Sequence, residues 1–106
     1  MSLEQKINNL ETDLHIMGTL VLDSLVSAVR ALEDKDTAKA SEVMDKDDEI
    51  DDAYMKIDQD WFELMATEQP VASDLRLSTS ILQASLHLER LGDLSVYLGK
   101  TTHEIH

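Results

Sequence analysis

Apolar side chains recur every three or four residues along the first third of the chain. The repeating positions are Leu3, Ile7, Leu10, Leu14, Met17, Val21 and Ala28. This spacing places them on one face of an α-helix, so the pattern predicts a helix over residues 3–33 with one buried side. The charged run at 33–36 should end that helix. Asp36 is suited to cap the next helix, because its carboxylate can accept hydrogen bonds from the first free backbone N–H groups.

The same rhythm continues in a second helix, predicted over residues 37–68. Its repeating positions are Ala40, Val43, Asp47, Ile50, Tyr54, Ile57, Trp61 and Leu64. Asp47 is the one carboxylate on this core-facing line, and an ionised carboxylate there is costly unless a cation or hydrogen-bond donors compensate it. Pro70 should end the helix near Glu68, because proline lacks an N–H and disfavours a helical conformation at Gln69.

The third helix, predicted over residues 71–102, carries two apolar stripes instead of one. The first stripe is formed by Leu77, Ile81, Ala84, Leu88, Leu91 and Leu98. The second stripe, which two acids interrupt, is formed by Leu75, Leu82, Leu86, Glu89, Asp93 and Val96. Two stripes on one helix indicate two neighbouring helices, or one neighbour and an oligomer interface.

Length and composition favour a single helical domain over residues 1–106. The chain is long enough for one hydrophobic core, and its 3 Gly and 1 Pro leave long stretches free of helix breakers. No stretch shows the alternating pattern of a β-strand. We therefore predict an all-α fold, an antiparallel three-helix bundle with up-down-up topology.

The chain is strongly acidic, with a formal net charge of −13. Such a surface repels nucleic-acid backbones and anionic lipid headgroups, and it suits cations or a basic patch on a protein partner. The absence of cysteine excludes disulfides and thiolate metal ligands. No apolar run approaches the roughly 20 residues that span a bilayer, and the N-terminus lacks the features of a signal peptide. We therefore expect a cytoplasmic protein that reaches the membrane only through its partners.

Two pairs of carboxylates are spaced to meet across a helical hairpin. Asp47 and Asp51 are one turn apart on the second helix, and Glu89 and Asp93 are one turn apart on the third. Asp47 and Asp93 are each 23 residues from Pro70, whereas Asp51 and Glu89 are each 19 residues from it. A hairpin that turns at Pro70 therefore places Asp47 beside Asp93, and Asp51 beside Glu89. Four carboxylates at one level form a candidate site for a hard or borderline cation such as magnesium, manganese or iron.

Simpler interpretations compete with this metal site. Acidic pairs at helical spacing usually form solvated helix faces. His103 and His106 form a second, weaker metal-ligand pair near the C-terminal end of the sequence. The Glu-x-x-His motif of di-iron bundles is missing, and no nucleophile–base pair or phosphate-binding loop is present, so we expect no catalytic activity.

Two motifs at the third helix carry a resemblance to a known family. The run QPVASDLR at residues 69–76, followed by LERLGD at residues 88–93, resembles the signature of the PhoU family. These proteins regulate phosphate uptake and phosphate-responsive signalling in bacteria. The resemblance implies a three-helix bundle whose carboxylate clusters bind iron, zinc or other metals. It also implies docking to the ATPase subunit of the phosphate ABC transporter and to a sensor histidine kinase.

The family's metal motif is an acid, often followed by lysine, with an Asp four residues after the first acid. Glu89 and Asp93 match this spacing, and Asp47 and Asp51 match it if Asp48 takes the place of the lysine. The alternative run at 45–49 keeps the lysine but ends in Glu, and the core-facing line favours Asp47 and Asp51.

The chain departs from the family pattern in two respects. Family members usually carry two such bundles in tandem, whereas this sequence contains one. Either the chain is a fragment of a two-repeat protein, or it is a one-repeat protein that rebuilds the tandem form as a homodimer. A homodimer would be expected to pair through the second stripe of the third helix, at Leu75, Leu82, Leu86 and Val96. Tyr54 lies near a position where relatives often have another acid, which disfavours a full multinuclear cluster.

Two other functions remain open at this point. The chain is also consistent with a PhoU-like interaction module of another transport or signalling system, with a vestigial metal site. A carboxylate-bridged metalloenzyme is a third possibility, which the missing histidine ligands disfavour.

Overall fold

Helix α1 spans Leu3–Asp34 in the computed structural model, which describes residues 1–105. Its start is a capping box: Ser2 Oγ accepts a hydrogen bond from the Gln5 backbone N–H, and Gln5 Oε1 accepts one from the Ser2 N–H at 2.9 Å. Its end is a left-handed residue, Lys35, with φ 58°, whose N–H donates to the carbonyl of Ala31. Both ends of α1 are therefore fixed by hydrogen bonds within a few residues.

The middle rod of the bundle consists of two helices, α2 at Thr37–Asp45 and α3 at Asp47–Glu68. The carboxylate of Asp36 caps α2 by accepting from the Lys39 N–H at 2.9 Å, as predicted. The single helix expected over residues 37–68 is interrupted at Lys46, whose carbonyl accepts from Glu49 N–H at 3.0 Å in a tight turn. The interruption places three acids in the first turn of α3, where the positive end of the helix dipole stabilises them.

Helix α4 spans Ala72–Ile105 and follows a sharp turn at Gln69 and Pro70. Gln69 has a left-handed φ of 46° and ends α3, and Pro70 is buried. The three rods alternate in direction, so α1 and α4 run parallel while α2 and α3 run against both. The bundle is about 52 Å long and 19 by 16 Å across. The predicted all-α three-helix bundle is thus confirmed over the described residues.

The large side chains of the core come almost entirely from α1 and α3. They are Ile7, Leu10, Met17, Val21, Ile50, Ile57 and Leu64, joined by Ile81 from α4. All eight are less than about a tenth exposed, and their burial is the main stabilising term of the bundle.

Helix α4 faces the core with a line of mainly small residues. Its buried positions are Ser78, Ile81, Ser85, Gly92, Ser95, Gly99 and Thr102. Each buried hydroxyl on this line donates to a carbonyl three or four residues earlier in the same helix, so none is left without a partner. Small side chains let neighbouring helices approach the α4 backbone closely.

This line corrects the prediction for α4. Ile81 of the first stripe lies on the buried line, but the other members of the two stripes flank it, and Leu77 and Leu91 are each 42% exposed. A prediction based on large apolar residues misses a buried line that consists mainly of serine and glycine. In the second stripe, Leu82 is partly buried against the core, whereas Leu75 and Leu86 are 40% and 37% exposed. The expected pairing surface is therefore discontinuous.

Helix α1 is the one helix of residues 1–105 that is long and apolar enough to cross a membrane by length and composition. The prediction that no segment could span a bilayer considered only uninterrupted apolar runs. Residues 16–32 are apolar on average, although two charged residues, Asp23 and Arg30, interrupt them. Seven residues of α1 are nevertheless buried within the bundle. Core packing on one side and apolar exposure on the other account for this composition.

The glycines of the helices provide a test of the close packing at α4. A Cβ on Gly99 would lie 3.1 Å from Met44 Cγ and 3.2 Å from the Ala40 carbonyl oxygen, whereas a Cβ on Gly18 would meet nothing nearer than 4.0 Å. We expect Gly18→Ala to stabilise the protein by about 0.5–1 kcal/mol, because alanine restricts the unfolded chain and favours helix. Gly99→Ala should be less stable than Gly18→Ala by on the order of 1–3 kcal/mol, because backbone atoms must move.

Urea denaturation followed by circular dichroism measures both variants. Equal stabilisation by the two substitutions would show that α4 does not approach α2 this closely.

Candidate functional site

The four predicted carboxylates lie at one level of the bundle, on the two helices that flank Pro70. Asp47 is the first residue of α3, directly after the interruption at Lys46, and Asp51 follows one turn later. Glu89 and Asp93 lie on α4. The charge of each pair acts on the other pair, as the pKa values of the acids show.

Asp47 is the most constrained of the four acids. Burial raises the pKa of Asp47, and the charges of Asp51, Asp93 and Asp48 raise it further. Its Oδ1 atom is buried without a hydrogen-bond partner. A carboxylate oxygen in this position is destabilising until a proton, a donor or a cation reaches it.

Asp51 and Glu89 show the same combination of burial and repulsion. Burial raises the pKa of Glu89, followed by the charges of Asp51, Asp93 and Asp47. Burial also raises the pKa of Asp51, followed by the charges of Asp93, Asp48 and the neighbouring Asp52. Among the acids across the hairpin, Asp93 comes first for both Asp47 and Asp51, and Asp51 comes first for Glu89. The two pairs therefore interact across the hairpin, while the pairing of Asp51 with Glu89 in particular stays a prediction.

Gly92 packs closely against Ile50, beside the buried oxygen of Asp47. A Cβ at this position would lie 3.1 Å from Cγ2 of Ile50, which is tight, and 3.7 Å from Asp47 Oδ1, which is an ordinary contact distance. Glycine carries no hydrophobic signal, so the apolar pattern of the sequence gives Gly92 no role. Its seven-residue spacing from Gly99 and from Ser85 is the signal that would have placed it on the buried line.

Tyr54 lies beside the site, one turn beyond Ile50 on α3. Burial raises the pKa of its phenol, followed by the charges of Asp58 and Glu89. The phenol remains protonated at neutral pH and offers a hydrogen-bond donor near Glu89, where an acid would add another negative charge.

The four acids have no basic partner among residues 1–105. The ion pairs of this part of the chain join Lys6 to Glu68, and Lys56 to both Asp13 and Asp60. Lys46 and Arg90 are exposed neighbours of the site in sequence and pair with none of the four. The negative charge of the site is therefore uncompensated by protein.

The donor chemistry of the site fits a divalent cation, since it offers carboxylate oxygens, one of them buried and unpartnered. Within residues 1–105, however, no three His, Cys, Asp or Glu side chains lie close enough together to hold a metal ion.

The histidine alternative receives no geometric support. His103 Nε2 lies 2.9 Å from the hydroxyl oxygen of Ser41, which ties the end of α4 to α2. The other member of the predicted pair, His106, lies outside the described residues.

The raised pKa values predict how stability depends on pH. Folded Asp47, Asp51 and Glu89 hold their protons more tightly than the unfolded chain, whose acids titrate near 3.8 for Asp and 4.5 for Glu. Their contribution to stability is therefore fully present below those values and is lost as pH rises through the raised pKa values. Asp47→Asn should reduce this loss and raise the free energy of unfolding at pH 7 by on the order of 1 kcal/mol.

Urea denaturation at several pH values measures the effect. Asp23→Asn is the matched control, because it removes the same charge from an exposed position on α1. Equal effects of the two variants would attribute the pH dependence to net charge and not to the site.

Comparison with known proteins places this arrangement in a family. A family model described as PhoU domain matches residues 14–102. A phosphate-specific transport system accessory protein PhoU homolog from Pseudomonas aeruginosa is 39% identical over 88 residues, covering 83% of this chain and 36% of that protein. No solved structure matches the chain significantly.

Two further relatives carry closely similar names. The accessory protein PhoU of Serratia marcescens is 32% identical over 99 residues, covering 93% of this chain and 41% of that protein. PhoU homolog 1 of Thermotoga maritima is 35% identical over 97 residues, covering 92% and 42%. The chain thus spans less than half the length of these relatives. Because the family model covers most of its residues, including both carboxylate pairs, the chain belongs to the PhoU domain family.

Proposed function

We propose that this chain regulates phosphate uptake and phosphate-responsive signalling as a helical adaptor in the cytoplasm. In this proposal it docks to the ATPase subunit of a phosphate ABC transporter and to a sensor histidine kinase. Membership of the PhoU domain family is the observation that carries the proposal, and relatives named as accessory proteins of phosphate-specific transport support it. An accessory protein acts through contacts, and the bundle offers a suitable contact surface.

The outward face of α3 is the surface best suited to a basic partner. Phe62 and Met55 lie seven residues apart on this face and are 70% and 55% exposed. The exposed acids Asp48, Asp52 and Asp58 lie on the same helix. An aromatic side chain among acids matches an apolar pocket rimmed by Lys and Arg, because the aromatic group supplies binding energy while the charges steer association.

The metal site is the second part of the proposal. Asp47, Asp51, Glu89 and Asp93 would hold a metal ion such as iron, zinc, manganese or magnesium. The unpartnered Oδ1 of Asp47 and the repulsion among the acids support it, since a cation relieves both. When bound, the metal would supply positive charge that joins α3 to α4, which is a structural role.

The alternative is an interaction module of another transport or signalling system with a vestigial metal site. One observation favours a vestigial metal site: among the described residues, no three of the carboxylates lie close enough together to hold a metal ion.

The docking proposal predicts a loss of partner binding on substitution of Phe62. Phe62→Glu should weaken binding to the transporter's ATPase subunit at least tenfold, because it removes the apolar anchor. Ile16→Glu is the matched control, since Ile16 is a 50% exposed apolar residue on α1. Biolayer interferometry with the purified subunit measures both variants.

Raised salt should weaken the binding of the unchanged protein, because it screens the acidic face. Absence of binding to both the ATPase subunit and the kinase would contradict the regulatory proposal. Binding that Phe62→Glu leaves unchanged would contradict only the assigned surface.

The metal proposal predicts that Asp47→Ala combined with Asp93→Ala abolishes metal binding while the bundle stays folded. Elemental mass spectrometry and calorimetric titration with Mn²⁺ measure binding, and circular dichroism reports the fold. The control combines Asp23→Ala with Asp34→Ala, which remove two exposed acids of α1. Unchanged metal content in the Asp47 and Asp93 variant would contradict the site.

A further inference from the structure

Ser24 is the one polar residue on the core-facing line of α1. The three-four repeat of this line runs through Ile7, Leu10, Leu14, Met17, Val21, Ser24, Ala28 and Ala31. A large apolar side chain at position 24 would fill the space between α1 and the middle rod. Serine leaves this space open and brings a hydroxyl group to it.

The hydroxyl of Ser24 is buried and has no hydrogen-bond partner. The residue as a whole is only 8% exposed. The buried hydroxyls of α4 differ from it, because each of them donates to a carbonyl of its own helix. A buried hydroxyl without a partner is destabilising. Ser24 Oγ is therefore available to a molecule that enters from solution.

A cavity of about 140 Å³ lies beside Ser24, between α1 and the middle rod. It is located where the middle rod is interrupted at Lys46. Leu20, Val43 and Ile50 form the apolar part of its lining. At roughly 30 Å³ for each water molecule in the liquid, this volume corresponds to about five waters. The cavity is therefore large enough for a small organic molecule.

Charged side chains of both signs complete the lining of the cavity. Lys39 and Lys46 supply two ammonium groups, and Asp23, Glu42 and Glu49 supply three carboxylates. The ion pairs within residues 1–105 involve none of these five side chains. Charges of both signs are thus available to a ligand at the same cavity.

We propose that this cavity binds a small zwitterion, an α-amino acid of about the size of alanine. The carboxylate of the ligand meets the ammonium groups of Lys39 and Lys46, and its ammonium group meets the carboxylates of the lining. The hydroxyl of Ser24, which can donate and accept, gains the hydrogen bond that the protein leaves unmade. The methyl group of the ligand packs against the apolar part of the lining.

Charge complementarity selects this class of ligand. The three carboxylates would repel an anion, and the two ammonium groups would repel a cation. A neutral polyol would gain nothing from either set of charges. Only a molecule with both charges places an opposite charge against each set. Binding of such a molecule does not depend on the proposed role in phosphate regulation.

Titration of the ¹⁵N-labelled protein with L-alanine, followed by two-dimensional NMR, tests the proposal. The backbone signals of the cavity lining should shift with saturation, whereas those near the turn at Pro70 should not move. Ser24→Ala should raise the dissociation constant about tenfold, because it removes a hydrogen bond to a charged group. Ser85→Ala is the matched control, since its buried hydroxyl already donates to the carbonyl of Leu82.

Two further variants test whether the ligand must carry both charges. Lys39→Gln and Glu42→Gln should each weaken the binding of L-alanine, because each removes a charge that opposes one end of the ligand. Inorganic phosphate and glycerol are the comparison ligands, as an anion and a neutral molecule. Circular dichroism establishes that each variant is folded.

Several results would overturn the proposal. The first is the absence of saturable shifts in the cavity lining with L-alanine into the millimolar range. The second is equal weakening of binding by Ser24→Ala and Ser85→Ala. Tighter binding on Glu42→Gln, or saturable binding of phosphate without binding of L-alanine, would assign the cavity to an anion. Saturable binding of glycerol that Lys39→Gln and Glu42→Gln leave unchanged would assign it to a neutral molecule.

Discussion

The close approach of the other helices to the backbone of α4 is the constraint on which the rest of this bundle depends. The buried line of α4 has glycine at positions 92 and 99 and serine at positions 78, 85 and 95. Without large side chains on this line, both neighbouring rods lie near the α4 backbone. The leucines of α4 are consequently displaced to its flanks, where some complete the core and others face solvent.

The same close approach determines the environment of the carboxylates. Gly92 lets Ile50 approach α4 closely beside Asp47, and the helix break at Lys46 brings Asp47 to the N-terminal end of α3. The dipole of α3 favours its negative charge, whereas burial and the facing acids oppose it. The site therefore stores unfavourable electrostatic energy that a positive charge would release.

The sequence allowed the fold to be predicted because the helices of the first two rods use large apolar residues at regular spacing. The turn at Pro70 and the cap at Asp36 were equally visible, since each depends on one residue type with a local effect. The register of the acids followed from counting residues on either side of Pro70. These features depend on short segments and on the geometry of an antiparallel hairpin.

Other features could not be read from such patterns. The buried line of α4 consists mainly of serine and glycine, which carry little hydrophobic signal. The prediction therefore assigned the core-facing side of α4 to the leucines that flank this line. The break at Lys46 is not visible in the residue types, because residues 37–68 contain no glycine or proline. The separation of the carboxylate side chains likewise does not follow from their register along the helices.

The connection of the rods has a consequence for the order of folding. The contact between Gly18 of α1 and Leu88 of α4 closes a loop of about 70 residues, whereas α3 and α4 meet across the short turn at Gln69 and Pro70. Short loops close at a lower entropic cost than long ones. Helix α1 likewise meets the middle rod across the short turn at Lys35 and Asp36. Both hairpins should therefore form before α1 and α4 meet, so the two acidic pairs face one another while the buried line of α4 is still open to water on its α1 side.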